Sequence, residues 1–400
     1  MSAEHDYDLI IVGGGMVGAT LALMLAQIDG LRVAVVEASP PPPAGGGFLP
    51  SFDGRSTALS RSTSQAFVEL GLWSQIRRHS QPIRAIEVSE QGRWGRVRLH
   101  AEEEGVEALG YVMENAWLGR LLYAACQNQP SLQWLAASKV LAIGSAGPLQ
   151  TVRVGCADGE LELRAPLLVA ADGAQSSLRA AMQINSDSFD YRQCALVCNV
   201  ETSQDHDDRA YERFMPGEVL ALLPRVDGSR ALIWTLAPAR ARELERAQEA
   251  EFLRQLAMRL GPVVGRLRAR TAPVSYALQR IIAQQQVQPG RVLLGNAAHF
   301  LHPVAGQGFN LCVRDALALS RLVGEQRAQG RDLGELAALQ RYQQGRRRDQ
   351  DIITGFSDRL VRLFAIDHPL FSHLRSLGMG LFELTPGSKT LLARMSMGAL

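Results

Sequence analysis

The chain has 400 residues, of which 46% are hydrophobic and 20% charged, and its formal net charge is +2. This length and balance are typical of a globular enzyme with two domains that share an interface, and the small net charge argues against nucleic acid as a partner. The five cysteines contain no CxxC pair, so we expect no metal site, no disulfide scaffold and a reducing compartment.

The sequence lacks the marks of a secreted or membrane-spanning protein. Its first residues, MSAEHDYD, are acidic and run directly into an apolar strand. No stretch reaches the ~18 continuous apolar residues that a membrane span needs. We therefore expect a cytoplasmic protein that is at most peripheral to the inner face of a membrane.

The N-terminal pattern is strand, turn, helix and strand. An apolar strand at 7–12 precedes the turn GGGMVG, an apolar helix and a second strand, LRVAVVE, which ends in Glu37. Gly13, Gly15 and Gly18 fit GxGxxG, allowing a tight turn, the approach of a pyrophosphate and close helix packing. Glu37 can accept hydrogen bonds from ribose hydroxyls. We predict a dinucleotide site, for a flavin or a nicotinamide, rather than an ordinary glycine-rich turn.

The rest of the chain alternates helices with short strands. In order, the pattern predicts a loop at 40–47, a helix at 57–72, two strands at 83–100 joined at Gln91–Gly92, a helix at 115–127, a hairpin around Asp158–Gly159, a buried strand before Asp172, strands at 194–202, 210–215, 219–224 and 230–236, a charged helix at 240–260 and mostly helix beyond 345. We interpret this as a sheet-rich substrate domain (81–109 and 186–273) inserted into a dinucleotide-binding domain (1–80, 110–185 and 274–345), with a C-terminal helical region (346–400).

Three later segments favour FAD as the dinucleotide. Asp172–Gly173 follows the strand LLVAA, and Gly295–Asn296 follows RVLL. Each alone is only a strand end with a turn residue. The loop HPVAGQGFN at 302–310 runs straight into an apolar helix, which suggests backbone N–H groups presented to an electron-rich ligand.

Together, these motifs resemble the FAD-dependent aromatic hydroxylases with the p-hydroxybenzoate hydroxylase fold. The likeness covers essentially the whole chain and includes the N-terminal GxGxxG, the internal DG and a C-terminal GD-type motif followed by HP. Within the family the chain is most similar to the ubiquinone-biosynthesis branch, and there to the group that hydroxylates 2-octaprenyl-6-methoxyphenol. FDGRSTALS at 52–60, HPVAGQGFNLCVRD at 302–315 and Asn296 in place of Asp carry that similarity.

The resemblance implies an α/β fold with a Rossmann-like FAD-binding domain. It also implies a monooxygenase in which NAD(P)H reduces FAD, O₂ adds to give a C4a-hydroperoxide, and the ring of a polyprenylated phenol is hydroxylated. A complex for ubiquinone biosynthesis is an implied partner, and the oligomeric state is not implied. Two alternatives stay open: a flavin hydroxylase for another ring position or aromatic substrate, and an FAD-stabilised scaffold subunit.

The resemblance also assigns cofactor contacts. It places Arg55 near the pyrophosphate, where a structural salt bridge is the alternative, and Asn115 on the cofactor, where helix N-capping is the alternative. Asp172 and Gly173 carry the internal motif. Asn296 stands where the family Asp accepts from the ribityl chain, and its amide oxygen can also accept.

Around the flavin ring, the resemblance assigns the loop before the C-terminal helix. Gly306, Gln307, Gly308 and Asn310 would present backbone N–H groups to the pyrimidine edge, and Pro303 would exclude water beside the ring.

No acid–base pair stands out, which leaves the chemistry to the flavin. His299 and His302 are candidate bases for activating the phenol, with structural roles as the alternative. His302 is the one we retain as a candidate catalytic residue.

The substrate strands carry large apolar side chains. Leu220, Leu222, Trp234 and Leu236 could face a polyprenyl tail or a plain hydrophobic core.

The C-terminal region has two amphipathic stretches, one with Ile353, Phe356, Leu360 and Phe364 and the other at 371–381. We expect packing onto the main body rather than a membrane or partner face. Arg346, Arg347 and Arg348 are expected to be solvated rather than lipid-bound.

Overall fold

The computed structural model describes residues 5–42, 55–302, 306–365, 377, 387, 393–394 and 397–398. Over these residues the helices are α1 Met16–Leu25, α2 Arg61–Glu69, α3 Trp73–Arg78, α4 Asn115–Gln127, α5 Ser177–Ala181, α6 Pro238–Arg246, α7 Glu249–Leu260, α8 Gln307–Ala328 and α9 Leu336–Ala365. The strands are β1 His5–Asp6, β2 Leu9–Val12, β3 Val33–Val36, β4 Ser56–Ser60, β5 Ser80–Ile83, β6 Ala85–Glu90, β7 Arg96–His100, β8 Gly110–Glu114, β9 Leu132–Leu135, β10 Lys139–Ala146, β11 Leu149–Cys156, β12 Gly159–Ala165, β13 Leu167–Ala170, β14 Ser186–Thr202, β15 Arg209–Met215, β16 Glu218–Pro224, β17 Arg230–Leu236, β18 Leu267–Arg270, β19 Val274–Ala283, β20 Val287–Gln288, β21 Arg291–Leu293 and β22 His299–Phe300.

A six-stranded, mainly parallel sheet has the order β20-β21-β13-β2-β3-β9. Its central strands LIIV, VAVV and LLVA are apolar throughout because both faces are covered. Helices α1, α4 and α8 pack on one face, and β11, β12 and α5 cover the other. The carboxyl ends of β2, β13 and β21 therefore meet at one edge, which is where an open α/β sheet binds ligands.

A nine-stranded sheet lies beside it in the order β22-β19-β14-β17-β16-β15-β6-β7, with β18 also paired to β14. Neighbouring strands are antiparallel except β15 and β6, which run parallel. Helices α6 and α7 pack on one face and bury a core with β14, β16 and β17. A small sheet, β4-β8-β5, packs against the other face through Ile83 and Val112, and it packs against the core of the six-stranded sheet through Leu59 and Met113.

Many predicted elements are confirmed, including the helix at 115–127, the strand at 230–236 and the hairpin around Asp158–Gly159. The helix predicted at 57–72 is wrong at its start, because residues 56–60 pair with β8 as strand β4. Ser60 ends that strand and caps α2, since its hydroxyl accepts from the Thr63 N–H.

The single charged helix predicted at 240–260 is also wrong. The chain leaves helical geometry at Ala247 and Gln248, so α6 and α7 are separate helices. Arg270 donates to the Ala247 carbonyl at 2.9 Å, which gives the interrupted backbone a partner. Within the described residues, no helix is both long enough and apolar enough to cross a membrane.

Candidate functional site

The three glycines of the GxGxxG motif, which joins β2 to α1, have three different surroundings. Gly13 has φ +105°, and a Cβ there would lie 2.3 Å from the Ala171 carbonyl oxygen. A Cβ on Gly18 would lie 1.9 Å from the Gly13 carbonyl oxygen, whereas one on Gly15 would meet no atom within 4 Å. The first and third glycines are therefore required by the protein itself. The second leaves open space beside the turn.

Glu37 organises this turn from the neighbouring strand. Its carboxylate is buried and accepts the Gly14 N–H at 2.6 Å and the Ser39 N–H at 2.8 Å. The N-terminus of α1 has no side-chain cap and no acidic residue in its first turn. Its free N–H groups and partial positive charge suit a phosphate.

The DG turn after β13 is tied to the turn after β21. Asp172 accepts the Ser176 hydroxyl at 2.5 Å and the Leu178 N–H at 3.1 Å, which holds the turn against α5. Arg179 then donates to the Ala297 carbonyl at 2.9 Å. Gly173 reaches the cavity described below, and Asp172 stands behind it.

Gly295 and Asn296 form the second turn. Gly295 has φ +64°, and a Cβ there would lie 3.1 Å from Val17 in α1, so the turn packs closely on the first helix. The Asn296 side chain is exposed and lines the cavity. Its amide oxygen is thus available to a ligand.

The start of α8 is open to the same space. Gly306 is the N-cap, in the left-handed conformation at φ +60°, with no side-chain cap hydrogen bond. The first N–H groups of an α-helix have no intrahelical partner, so that of Gly308 is presented to the cavity, which Gln307 and Gly308 both line. Pro303 lies outside the described residues.

Asn310 fastens this helix start to the rest of the site. Its side-chain oxygen accepts from Ser60 N–H and Thr63 Oγ1, both at 2.8 Å, and its amide donates to the carbonyls of Ala58 and Gly306. All four hydrogen bonds are to other atoms of the protein. The Asn310 side chain therefore has a structural role, in which it joins β4 and α2 to the start of α8.

Arg55 and Asn115 lie together on the small sheet. The Asn115 N–H donates to the Arg55 carbonyl at 2.8 Å, and its side-chain oxygen accepts from Thr57 Oγ1 at 2.5 Å. The N-cap of α4 is Glu114, so helix capping as an explanation for Asn115 is wrong. The Arg55 guanidinium stacks 4.4 Å from the centre of the Tyr276 ring.

Arg225, which the sequence interpretation overlooked, joins the two sheets here. From the turn after β16 it donates to Glu114 and, at 3.4 Å, to Ser56 Oγ. Its side chain is only 10% exposed. The Glu114 carboxylate offsets the cost of burying the charge, and the two hydrogen bonds fix β16 and β17 against β4 and β8.

One cavity of about 540 Å³ brings these elements together. Among the predicted residues, those on its wall are Gly15, Gly173, Asn296, His302, Gly306, Gln307 and Gly308. Gly13, Gly18, Glu37, Arg55, Asn115, Asp172, Gly295 and Asn310 lie off its wall. The opposite wall is mostly apolar and comes from one face of the nine-stranded sheet, with Ile86, Val88, Leu99, Ala210, Phe214, Val219, Ala221, Leu223 and Ile233.

Of the two alternatives for Leu220, Leu222, Trp234 and Leu236, the hydrophobic core is the one that the structure supports. All four are fully buried under α6 and α7. Since successive strand residues point to opposite faces, the cavity wall is formed instead by their sequence neighbours.

The cavity wall includes part of α9. Ile353 and Phe356, singled out as one apolar stripe of the C-terminal region, line the cavity, so this part of α9 packs on the main body. The other residues named for that stripe and the stretch at 371–381 cannot be compared, because most of their side chains lie outside the described residues.

His302 is on the cavity wall and 2% exposed. Burial lowers its pKa to about 4, with the Asp358 carboxylate acting in the opposite direction. Its ring meets the edge of Tyr191 at 4.9 Å, and the Tyr191 hydroxyl donates to Asp358 at 3.1 Å. The imidazole is therefore uncharged at neutral pH.

His299 is not part of the cavity wall. Its Nε2 lies 2.5 Å from Asp315, which also accepts from Arg346 at 2.5 Å. Burial alone would raise the pKa of Asp315, but His299 and Arg346 bring it below the usual value. Asp315 in α8 thus joins His299 of β22 to Arg346 of α9.

Arg346 and Arg347, which are neighbours in α9, differ in exposure. Arg346 is 13% exposed and belongs to the buried ion pairs, so the expectation of a solvated side chain is wrong for it. Arg347 is 79% exposed and pairs with Asp351, as expected for a solvated face.

Comparison with known proteins gave one family model, described as FAD binding domain, over residues 6–351. Ubiquinone hydroxylase UbiL of Rhodospirillum rubrum is 34% identical, over 100% of this chain and 91% of that protein. The 3-demethoxyubiquinol 3-hydroxylase of Escherichia coli is 32% identical over 93% of both chains. The solved structure of p-nitrophenol 4-monooxygenase PnpA from Pseudomonas putida has the same fold, with a TM-score of 0.79 and 19% identity over 98% of this chain and 97% of that one.

Proposed function

Because this chain belongs to the FAD-binding domain family and is an FAD-dependent monooxygenase, we propose that it hydroxylates the aromatic ring of a polyprenylated phenol in ubiquinone biosynthesis. The specific reaction we propose is the hydroxylation of 2-octaprenyl-6-methoxyphenol, because Asn296 and the segment at 302–315 resemble the enzymes for that step. Two relatives that cover nearly the whole chain are named as hydroxylases of ubiquinone or demethoxyubiquinol, which supports this substrate class.

The observation that carries the proposal is the continuity of the cavity. One end is walled by glycine turns and the start of α8, and the other by the apolar face of the nine-stranded sheet. An isoalloxazine at the first end would lie beside a space suited to an apolar tail at the second. A substrate with a phenol head and a polyprenyl tail matches both ends.

The residues of the site fit FAD. Gly15 leaves open space at the uncapped N-terminus of α1, which would hold the pyrophosphate. The uncapped N-terminus of α8 would stabilise negative charge on the ring, and Asn296 would accept from the ribityl chain. When bound, FAD supplies the redox chemistry, in which NAD(P)H is the electron donor and O₂ the source of the oxygen added to the ring.

The residues of the chain would bind and orient the substrate and exclude water from it. Val219, Ala221 and Ile233 would pack on the tail and exclude water from the ring. His302, uncharged at neutral pH, would be the proton acceptor for the phenol hydroxyl. With a pKa near 4 it is a weak base, so its contribution would be orientation of the hydroxyl together with partial proton transfer.

A reconstitution assay tests the function. Purified protein loaded with FAD is incubated with NADPH or NADH, ¹⁸O₂ and a short-tail 6-methoxyphenol, and the products are analysed by mass spectrometry. We expect one labelled oxygen atom in the ring and the other in water. A protein that takes up no flavin, or holoenzyme that never labels the phenol, contradicts the proposal.

The quinone lipids of a strain lacking the gene identify the ring position. Accumulation of the 6-methoxyphenol precursor supports the specific step, whereas another precursor points to another ring position. A Gly15→Val variant that binds no FAD should fail to complement this strain. Full complementation by that variant would instead support a scaffold role.

The proposed role of His302 has a separate test. His302→Ala should alter the pH dependence of hydroxylation in the reconstituted enzyme. An unchanged pH profile excludes His302 as the proton acceptor and leaves the rest of the proposal intact.

A further inference from the structure

The turn between β6 and β7 exposes a tryptophan. Trp94 is 68% exposed, in the sequence QGRWGR at 91–96. Arg96 and Arg98, which follow on β7, have side chains 45% and 48% exposed. Their common partner Glu87 is nearly buried beneath them, so the guanidinium groups lie on the outer side of the pairs.

A second exposed apolar side chain lies at the same edge of the sheet. The Gln91 side-chain amide donates to the Met258 carbonyl at 3.1 Å, which joins the turn to the last part of α7. Met258 is 52% exposed. We call Trp94, Arg96, Arg98 and Met258 the docking edge.

The apolar wall of the cavity leads to this edge. Gln91 N–H donates to the Phe214 carbonyl at 2.9 Å, and Phe214 lines the cavity with Val88 on the adjacent strand. Val219, paired with Phe214 across β15 and β16, continues the lining on the same face. The apolar lining therefore comes close to the turn that carries Trp94, and beside it Val97 and Leu99 of β7 pack against Ala393 and Met397.

We propose that the docking edge binds an anionic lipid surface and that the substrate's tail enters the cavity from it. This rests on the proposed function, because a polyprenylated phenol is held in a bilayer. An indole with an apolar body and a polar N–H is suited to the headgroup region, and adjacent guanidinium groups pair with lipid phosphates. Net positive charge on an exposed aromatic turn favours such a surface over an apolar protein groove.

Vesicle sedimentation tests the proposal with FAD-loaded protein. We expect stronger partitioning onto vesicles of phosphatidylglycerol and phosphatidylcholine than onto phosphatidylcholine alone. Trp94→Ser should weaken partitioning on both by about tenfold. Arg96→Gln and Arg98→Gln should each weaken it about fivefold, and only on the anionic vesicles.

The matched control is Leu141→Ser, because Leu141 is 49% exposed on β10, a strand of the separate four-stranded sheet. It should partition as the unaltered protein does. Brominated lipids should quench the part of the emission that Trp94→Phe removes, since the other four tryptophans are less exposed. Equal loss with Leu141→Ser, or undiminished binding by Trp94→Ser, overturns the proposal, as does holoenzyme that binds neither kind of vesicle.

Turnover of a water-soluble short-tail phenol separates this proposal from the proposed function. Trp94→Ser should keep that turnover while losing turnover of a long-tail phenol presented in vesicles. If no phenol is hydroxylated but vesicle binding depends on Trp94, the proposed function fails and the lipid contact stands. If Trp94→Ser turns over the long-tail phenol in vesicles as well as the unaltered protein does, the proposal that the tail enters at this edge is wrong.

Discussion

Ile233 and Trp234 are neighbours in β17, yet their side chains lie on opposite faces of the nine-stranded sheet. Ile233 lines the cavity, while Trp234 is fully buried under α7 and donates its indole N–H to Glu218 at 2.9 Å. Trp234 therefore belongs to the core that supports the sheet, and Ile233 belongs to the surface that would meet substrate. Substitutions at the two positions should separate stability from substrate binding.

Ile233→Phe should obstruct the cavity. The larger ring projects into space rather than into packed atoms, so we expect the free energy of unfolding to change by less than about 1 kcal/mol. KM for a long-tail phenol should rise several-fold, with a smaller effect for a short-tail phenol. Steady-state kinetics on both substrates and urea unfolding check this. Trp234→Ala is the contrasting variant and should lose about 3–5 kcal/mol of stability.

Gly15→Ala and Gly18→Ala should differ sharply although both belong to the GxGxxG motif. The Gly18 Cβ would lie 1.9 Å from a backbone carbonyl oxygen, so we expect destabilisation of about 3 kcal/mol or failure to fold. Gly15→Ala meets no protein atom within 4 Å and should fold normally. It should nevertheless weaken FAD binding about tenfold or more, because its methyl group would occupy the space that we propose for the pyrophosphate. Unfolding of the apoprotein and flavin titration measure the two effects, and equal behaviour of the variants would contradict the assignment.

Asp315→Asn should destabilise the protein by about 3 kcal/mol. The carboxylate is buried between His299 and Arg346, and removing its charge leaves the Arg346 guanidinium less compensated in a buried site. Asp351→Asn, in the adjacent helix α9, is the matched control. Asp351 is 73% exposed, so loss of its charge should have little effect on stability. Urea unfolding of both variants at neutral pH tests the difference. Similar losses would mean that the buried pairs carry no special weight.

The sequence was sufficient for features that depend on local spacing. The roles of Gly13 and Gly18 follow from GxGxxG, because the strand, turn and helix that need them are adjacent in the chain. The face of the substrate sheet was not predictable in this way. Strand β16 reads EVLALLP and is apolar on both sides, since Leu220 packs under helices and Ala221 lines an apolar cavity. Without polar alternation, periodicity cannot assign the faces, so a tail contact and a hydrophobic core both stayed open for Leu220, Leu222, Trp234 and Leu236.

Contacts between distant segments were also beyond the sequence. Arg225 was overlooked because its partners, Glu114 and Ser56, come from β8 and β4 far earlier in the chain. The cofactor contacts assigned by resemblance, and the domain boundaries, stay predictions. FAD-binding experiments on variants of Gly15 and Asn296 test the cofactor contacts. Asn296→Asp should bind FAD more tightly than the unaltered protein, because a charged acceptor makes a stronger hydrogen bond to a hydroxyl donor.

His302 should add to the dependence of stability on pH between about 6.5 and 4. Burial lowers its pKa from 6.5 to about 4, so between these values the unfolded chain binds a proton that the folded protein does not. Stability must therefore fall as the pH drops from about 6.5 to about 4, by roughly 3 kcal/mol in total from this group. His302→Gln removes the titrating group while keeping a polar side chain of similar length, so its free energy of unfolding should fall less over that window. Urea unfolding of both holoproteins at intervals from pH 7 to 4 measures the difference. Parallel curves for the two proteins would show that the imidazole does not stay neutral in the folded state, and the case for His302 as a neutral proton acceptor would fall with it.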